Sequence, residues 1–425
     1  MSNYRGMNYL RRKLEYKKTR NELRYEYYEM KNSMQDYSRT MPPNFSWLKE
    51  CLGWCSKSVD SIADRLTFRE FDNDTFEMNE IYNMNNPDIL FDSAIISALI
   101  TSCSFIYISL DQENFPRMQV IDGRNATGVI DPITYMLVEG YAILEKDKNG
   151  NAILEAYFTK ERTTFYEKGI KPYSIKNFAP YPLLVPIIFR PDPKRPFGHA
   201  RITRSCMGIQ QSALRTLKRA EVSAEFYSFP QKYVLGLSND AEQIDKWKAT
   251  ISSLLQFDKD EDGDKPTVGQ FQQQSMAPYV EQLKMFASLF AGETGLTLDD
   301  LGFSTENPSS VEAIKAQHEN LRLIAKKAQK TFGVGFLNAG YLAACLRDNY
   351  PYKRNQIYLT KPKWEPLFEP DSSTLSVIGD GAIKINQAVP GYFTKKNLRD
   401  LTGIDYDAET EEIIEPIENE IQEVK

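Results

Sequence analysis

The apolar positions near the N-terminus predict two helices of different character. Residues 8–35 are rich in charged residues and tyrosine and lack glycine and proline, which favours a polar helix. The prolines of the segment 40–45 interrupt this pattern. Over 46–66 the apolar side chains recur at alternating spacings of 4 and 3 residues, which is typical of an amphipathic helix. They are Leu48, Leu52, Cys55, Val59, Ile62 and Leu66.

The period of the apolar positions changes after residue 103. Segment 87–103 predicts a buried helix, whereas 104–190 is rich in β-branched and aromatic residues and predicts a mostly antiparallel β region. Asn149-Gly150 lies between two of its apolar runs and indicates a tight hairpin turn. The proline-rich and glycine-containing segment 189–198 then marks a module boundary.

Long helical patterns return in the second half of the chain. Segment 199–228 predicts a helix of about 45 Å, 230–275 alternates short strands with a short helix, and 276–292 is helical again. Ser309 and Glu312 have capping-box spacing, so the next helix is expected to begin there and to reach about residue 346. Its apolar face is Ile314, His318, Leu321, Ala325, Ala328 and Phe332. Segment 370–404 is expected to be helical with a break at 388–393.

Composition adds an uneven charge to these elements. The chain has 425 residues, 41% of them apolar, and a formal net charge of −6. Residues 405–425 carry nine acids and one lysine, a charge of −8, so the other 404 residues sum to +2. No apolar run approaches the roughly 20 residues that span a bilayer, and no secretory signal is evident, so we expect no membrane association and free thiols for the five cysteines.

Few residues have the spacing that catalysis or metal binding needs. His199 and His318 have no neighbouring cysteine or carboxylate ligands at metal spacing, which favours packing or capping roles. Cys51 and Cys55 lack the second pair of a zinc site. The sequence has neither a phosphate-binding glycine loop nor a Gly-x-Ser-x-Gly elbow, so it predicts no enzyme, no packaging motor and no cofactor.

An acidic run in 258–263 resembles half of a calcium loop. Asp258, Asp260, Asp262 and Gly263 fit the pattern, but the twelfth position, which needs a glutamate, is Gly269. A solvated hairpin tip is the simpler interpretation.

Basic residues are concentrated on the helix predicted over 199–228. On a single chain they would form a solvated face, but repeated around a ring they could contact DNA phosphates without reading sequence. They are Arg201, Arg204, Arg215, Lys218 and Arg219, and Lys284 follows on the second helix.

Several segments together resemble phage portal proteins, specifically the group from long-tailed phages of Gram-positive hosts. The similar segments are 59–66, 197–236, 290–321 and 379–404, and the similarity covers about 45–405 in consistent order. The resemblance implies an α+β portal fold with a mixed α/β wing (1–198), a stem of two helices (199–228 and 276–293), a small α/β clip (229–275), a tunnel loop (294–309), a long helix (310–346) and a helical crown with an acidic tail (347–425).

The resemblance also implies a function. Portal proteins form a dodecameric ring at one capsid vertex, through which double-stranded DNA enters during packaging and leaves during ejection. The expected partners are further copies of the chain, non-specifically bound DNA, the terminase large subunit, a head-completion adaptor, and the major capsid and scaffold proteins. The expected location is the virion, after assembly in the host cytoplasm.

Three sets of residues follow from the resemblance. The tunnel loop would be Gly295, Leu296, Thr297, Leu298, Asp299, Asp300, Leu301, Gly302, Phe303, Ser304, Thr305, Glu306 and Asn307, with its carboxylates repelling DNA and its apolar residues packing on a neighbouring subunit. The possible DNA-facing stem residues are the six cations named above. The partner-binding clip tip would be Asp258, Lys259, Asp260, Glu261, Asp262 and Asp264.

Two other classes remain open at this point. One is a non-catalytic oligomeric scaffold of another kind, and the other is a nucleic-acid-processing enzyme of the same mobile element. A symmetric oligomer without nuclease or ATPase activity would favour the portal interpretation over the enzyme.

Overall fold

The computed structural model describes residues 5–33, 50–228, 232–235, 267–270, 275–303, 315–368, 370 and 372–404, and it confirms a mixed helix and sheet architecture. The helices are α1 (Met7–Tyr28), α2 (Trp54–Ala63), α3 (Met78–Asn83), α4 (Pro87–Thr101), α5 (Arg204–Ser228), α6 (Ala277–Thr294), α7 (Glu319–Arg347), α8 (Ser372–Ala388) and α9 (Lys395–Thr402). The strands are β1 (Phe68–Asp72), β2 (Cys103–Leu110), β3 (Pro116–Ile121), β4 (Ala126–Ile130), β5 (Leu137–Lys146), β6 (Ala152–Phe158), β7 (Arg162–Glu167), β8 (Tyr173–Lys176), β9 (Leu184–Ile188), β10 (Lys232–Leu235), β11 (Thr267–Gln270) and β12 (Lys361–Trp364).

The strands between 103 and 188 pair antiparallel, as the sequence pattern predicts. In one sheet β2 lies between β3 and β9, and in the other β4 to β8 follow each other in chain order. The β5–β6 hairpin turns through 147–151, where the Gly150 N–H donates to the Asp147 carbonyl (2.9 Å) and Gly150 has φ of 81°. The predicted turn at Asn149-Gly150 is therefore confirmed.

The main core lies between α4, the sheet β3-β2-β9 and the C-terminal half of α7. Leu321, Ala325, Ala328 and Phe332 of α7 are buried, which confirms the predicted apolar face for these positions. From residue 335 to 346 every residue of α7 is buried, because the helix enters the core there. Ile314 and the capping-box pair predicted at 309 and 312 lie outside the described residues.

Helix α2 begins later than its apolar spacing predicts. Residues 50–53 are described and not helical, and the helix starts at Trp54. The fully buried side chain of Gln210 accepts a hydrogen bond from the Cys55 N–H and donates to the Leu52 carbonyl, both at 2.8 Å. A side chain of α5 therefore satisfies backbone groups at this helix start, where no local cap exists.

Helix α1 is a polar helix held against the body on one side. Leu10 and Leu14 pack with Tyr141 of β5, and the Asn21 side chain donates to the Gly123 carbonyl (2.8 Å). The helix ends at Tyr28, so the prediction that it continues to residue 35 is wrong over 29–33.

Ion pairs hold the C-terminal helix α9 on the β1–β12 ribbon. Asp400 pairs with Arg69 (2.5 Å) and with Lys363. Burial alone would raise the pKa of the Asp400 carboxyl, but hydrogen bonds from Lys363 and Arg69 and their charges together hold it below its usual range. The break predicted within 388–393 is confirmed, since α8 ends at Ala388 and α9 starts at Lys395.

The cysteines agree with the expected free thiols, whereas the expected packing or capping role is wrong for His199. All five cysteines are free, Cys51 is exposed and Cys55 is part of the core. His199 contacts the Asp192 carboxylate and lies 3.3 Å from an Arg195 nitrogen.

Candidate functional site

Helices α5 and α6 form an antiparallel pair. The Thr216 hydroxyl donates to the Gln282 side chain (3.0 Å), and the Ser223 and Tyr279 hydroxyls are 2.7 Å apart. The later residue of α5, Ser223, contacts the earlier residue of α6, Tyr279, so the two helices run in opposite directions. The β10–β11 ribbon, which is antiparallel, follows α5 and precedes α6 in the chain, as the sequence predicts.

Arg201 joins this helix pair to the body and does not face DNA. It is 5% exposed and precedes α5, which begins at Arg204 rather than at 199. Its guanidinium donates to the Ser58 carbonyl of α2 (3.1 Å) and to the Thr294 carbonyl at the end of α6, and its backbone N–H donates to the Leu99 carbonyl of α4 (2.7 Å). Burial lowers the pKa of Arg201 to about 10. The prediction of a DNA-facing role is wrong for this residue, because its donors are used inside the protein.

The predicted DNA-facing role is also wrong for Lys218. It is 7% exposed and lies one turn from Leu214 and one turn from Val222, which are buried as well. These i and i+4 positions form one packed stripe of α5. Lys218 therefore belongs to the packed side of the helix rather than to its basic outer face.

The other predicted stem cations remain accessible. Arg204, Arg219 and Lys284 are exposed and Arg215 is half-buried, with its guanidinium donating to Ser212 (2.9 Å). Arg204, Arg215 and Arg219 lie within about 60° of each other around α5, because 11 residues complete about three helical turns. They form one basic face along about 22 Å of helix.

The segment after α6 is a compact turn with its own hydrogen bonds. Gly295 and Gly302 have φ of 71° and 89°, in the left-handed region that favours glycine. Between them, the Asp300 carboxylate accepts bonds from the Thr297 N–H and hydroxyl (both 2.9 Å), and the Asp300 N–H donates to the Thr297 hydroxyl oxygen (3.1 Å). This reciprocal pair starts the short 3-10 helix Asp299–Leu301.

The apolar residues of this turn pack on their own chain. Leu296 and Leu301 are 6% and 8% exposed and belong to the main core, and Leu298 and Phe303 pack partly against it. The expectation that they pack on a neighbouring subunit is wrong for Leu296 and Leu301, which are also too buried to line a channel. Asp299 is exposed.

Part of the predicted site lies outside the described residues. This holds for the second half of the loop (Ser304, Thr305, Glu306 and Asn307), for the whole clip tip (Asp258, Lys259, Asp260, Glu261, Asp262 and Asp264), and so for the half calcium pattern. His318, where α7 begins, is 3.8 Å from the Asp300 carboxylate, so the chain returns to the turn. Among the described residues, no group of histidine, cysteine and carboxylate side chains could hold a metal ion.

The helix pair, the strand ribbon that lies between its helices in the chain and the turn that follows α6 belong to a mixed helix and sheet fold. A family model described as "Phage portal protein, SPP1 Gp6-like" matches residues 8–422 of this chain. The match covers nearly the whole sequence, and the chain belongs to this portal family. In the part of the chain that the structure describes, no helix has the length and apolar character to cross a bilayer.

Two curated relatives carry the name portal protein. The one from Mycobacterium phage L5 is 26% identical over 333 residues, covering 73% of this chain and 67% of that protein. The one from Mycobacterium phage D29 is 24% identical over 397 residues, covering 88% of this chain and 80% of that protein.

Solved structures with a similar chain come from gene transfer agent particles. The neck of the native particle, computed with C12 symmetry, has a TM-score of 0.43 and 14% identity and covers 83% of this chain and 90% of that chain. The neck of the empty particle, computed with C6 symmetry, has a TM-score of 0.41 and 13% identity with the same coverage.

Proposed function

We propose that copies of this chain form a dodecameric ring at one capsid vertex, with an axial channel for double-stranded DNA. DNA enters through the channel during packaging and leaves through it during ejection, and the chain itself performs no catalysis. Membership of the portal family supports this role. The virion is the expected location, after assembly in the host cytoplasm.

The observation that carries the ring is the apolar surface left exposed on α6. This helix buries a single stripe, formed by Ala287, Phe290, Ala291 and Thr294. On its other sides Val280, Met285 and Leu289 are 56%, 49% and 54% exposed. Exposed apolar side chains clustered on one element favour a protein partner, and in a ring the nearest partner is a second copy.

Helix α8 supports the same conclusion independently. Of its 17 residues only Ala382 is buried, while Val377 and Ile383 are 71% and 60% exposed. Isolated helices of about this length are marginal in water, so α8 needs a packing partner. We assign α8 and α9 to the crown, where neighbouring copies would supply that partner.

The basic face of α5 and the turn after α6 are proposed to border the channel. Arg204, Arg215 and Arg219, with Lys284, would contact phosphates without sequence preference, giving a salt-dependent interaction. The exposed carboxylate of Asp299 would repel the same phosphates, so that DNA passes without adhering. Asp300 is a structural residue of the turn, because its carboxylate is occupied by Thr297.

The remaining segments are assigned by family resemblance. The clip (229–275), with its acidic tip, would dock the terminase large subunit during packaging and the head-completion adaptor afterwards. The wing (1–198) would meet the major capsid and scaffold proteins. The stem (199–228 and 276–293), tunnel loop (294–309) and long helix (310–346) would surround the channel.

Native mass measurement of the purified chain tests the ring. Wild type should give a twelve-subunit species, and the double variant Met285→Glu, Leu289→Glu should dissociate it, because two charges enter an apolar contact. The variant Ile133→Glu changes a side chain that is 88% exposed elsewhere and should leave the ring intact. A monomeric wild type, or a ring insensitive to the α6 double variant, would contradict the proposal.

The channel position of the turn is tested separately. Asp299→Lys should preserve the ring and lower the yield of packaged DNA, since a lysine ring attracts phosphates that the aspartate ring repels. Unchanged packaging would show that this turn does not face the channel.

A further inference from the structure

A second basic site lies away from the helix pair, beneath α1. A cavity of about 580 Å³ separates α1 from β2, β4 and the segment 194–200. Its volume lies within the range of sites for small ligands, roughly 300–1,000 Å³. The cations that line it are Lys13, Lys17, Arg20, Arg24, Lys194 and Arg195. Among the described residues no aspartate or glutamate lines it.

The spacing of four of these cations turns one face of α1 into a cavity wall. Lys13, Lys17, Arg20 and Arg24 follow each other at intervals of 4, 3 and 4 residues, which places them on one side of a helix. Such a stripe is ordinarily solvated, but here Lys13, Lys17 and Arg24 are half-buried. The body therefore covers a line of like charges instead of leaving it to water.

Their present contacts leave the charge of this stripe uncompensated. The Lys13 ammonium donates to the Gly128 carbonyl (2.6 Å), and the Lys13 and Lys17 ammonium groups lie 4.8 and 4.9 Å from the centre of the Phe197 ring. The Arg24 guanidinium donates to the neutral Asn21 side chain (3.3 Å) and to the Thr101 carbonyl (3.4 Å). The Arg24 Nε is buried and has no hydrogen-bond partner among the described residues.

Burial and the repulsion between neighbouring positive charges lower the pKa values of Lys13 and Arg24. Burial, and then the charge of Lys17, lowers the pKa of Lys13 to about 8, and burial followed by the charge of Arg20 lowers the pKa of Arg24 to about 10. The Cys103 thiol, which also lines the cavity, is no counter-charge, because burial raises its pKa. Positive charge thus stays on this stripe near neutral pH. The Asp192 carboxylate, which contacts the cavity-lining residues His199 and Arg195, accepts a hydrogen bond from the Arg195 N–H.

We infer that this cavity is a binding site for a small phosphate-bearing anion of the size of pyrophosphate or a nucleotide. The lysine and arginine side chains offer only hydrogen-bond donors, and phosphate oxygens are pure acceptors. A peptide would bring N–H groups that need acceptors, and the Gly128 and Thr101 carbonyls already accept from cations. A DNA duplex is too wide for a cavity of this volume. The site belongs to the α/β body and does not depend on ring formation.

Calorimetric titration of the full-length chain with pyrophosphate at constant ionic strength tests the site. Pyrophosphate should bind wild type, and Lys17→Gln combined with Arg20→Gln should weaken binding at least about tenfold, because each lost charge-assisted bond has that order of effect. Arg12→Gln is the matched control, since Arg12 is exposed on α1 and does not line the cavity. It should bind like wild type.

Further titrations distinguish the phosphate compounds, and a single variant at an exposed position tests the site without disturbing the fold. Arg20→Gln alone changes an exposed residue and should by itself weaken pyrophosphate binding. Inorganic phosphate should bind more weakly than pyrophosphate, and a nucleoside triphosphate should compete with pyrophosphate for the same site. Equal affinities for wild type, the Arg20 variant and the Arg12 control would overturn the proposal. So would binding of a synthetic peptide with the acidic sequence 405–425 in place of pyrophosphate, since the occupant would then be a protein segment.

Discussion

Gly333 provides a quantitative test of how closely α7 packs on the β1–β12 ribbon. A Cβ at this position would lie 2.6 Å from the Pro362 Cγ, 3.0 Å from the Pro362 Cβ and 3.4 Å from the Trp364 Nε1. Normal carbon–carbon contacts are about 3.5–4.0 Å, so one of the two elements must move by about 1 Å to admit a methyl group. A proline ring cannot rotate away, so the backbone of β12 or of α7 would have to shift.

Two opposing free-energy contributions, helix preference and overpacking, decide the effect of Gly333→Ala on stability. Alanine is preferred over glycine within a helix by about 1 kcal/mol, whereas overpacking costs about 1–3 kcal/mol. The net change in the free energy of unfolding should therefore be a loss of about 0–2 kcal/mol. Gly208 of α5 has no atom within 4 Å of its hypothetical Cβ, so Gly208→Ala should be more stable than wild type by about 1 kcal/mol.

Denaturant unfolding of both variants at one protein concentration measures the difference. The two alanine variants should differ by about 1–3 kcal/mol, which is the overpacking contribution alone. If Gly333→Ala stabilised the protein as much as Gly208→Ala, the close approach of α7 to Pro362 would be refuted.

Two further predictions concern long-range polar contacts. Gln210→Met should lower the free energy of unfolding by about 2–4 kcal/mol, because the Cys55 N–H and the Leu52 carbonyl lose their partner in a buried site. The control is Gln112→Met, since Gln112 is exposed. Equal free energies of unfolding for the two variants would contradict the capping role of Gln210. Asp400→Asn should speed amide hydrogen exchange in α9 several-fold. In wild type the same release should begin as pH falls below about 3.9, because the stability that a depressed folded-state pKa contributes is complete above the unfolded pKa and is lost as pH falls through the folded pKa. Exchange in α9 that did not respond to pH or to the substitution would argue that these ion pairs do not hold the helix.

Local periodicity predicted the elements whose apolar face meets the core of the same chain. The face of α7 from Leu321 to Phe332, the β region and the hairpin at Asn149-Gly150 follow from spacings of 3.6 and 2 residues or from turn chemistry. The break between α8 and α9 follows from Pro390 and Gly391 in the same way.

The errors arise where a distant residue decides the local structure. The start of α2 depends on Gln210, which is 155 residues away along the chain, so no local spacing could locate it. The sequence pattern places Arg201 on a basic helix face, yet its position is set by carbonyl groups of α2 and α6. Lys218 shows that a helix with several contacting neighbours buries more than one stripe.

The segment after α6 differs in form from the sequence expectation. Acidic and hydroxyl side chains after α6 indicated a polar loop, whereas Leu296 and Leu301 fix half of it to the core. The spacing of Thr297 and Asp300 could have indicated this, because it places a hydroxyl and a carboxylate where each can bond the other residue's backbone. The basic stripe of α1 was visible in the sequence, but its enclosure depends on β2, β4 and the segment 194–200.

The junction at Arg201 has a mechanical consequence for the helix pair. Thr294, whose carbonyl Arg201 binds, is the last residue of α6, and the turn begins immediately afterwards. Arg201 therefore links this end of α6 to α2 through its guanidinium and to α4 through its backbone, beside the direct contact of Phe290 with Trp54. The C-terminal end of α6 is thus tied to two helices that lie far from it in the chain.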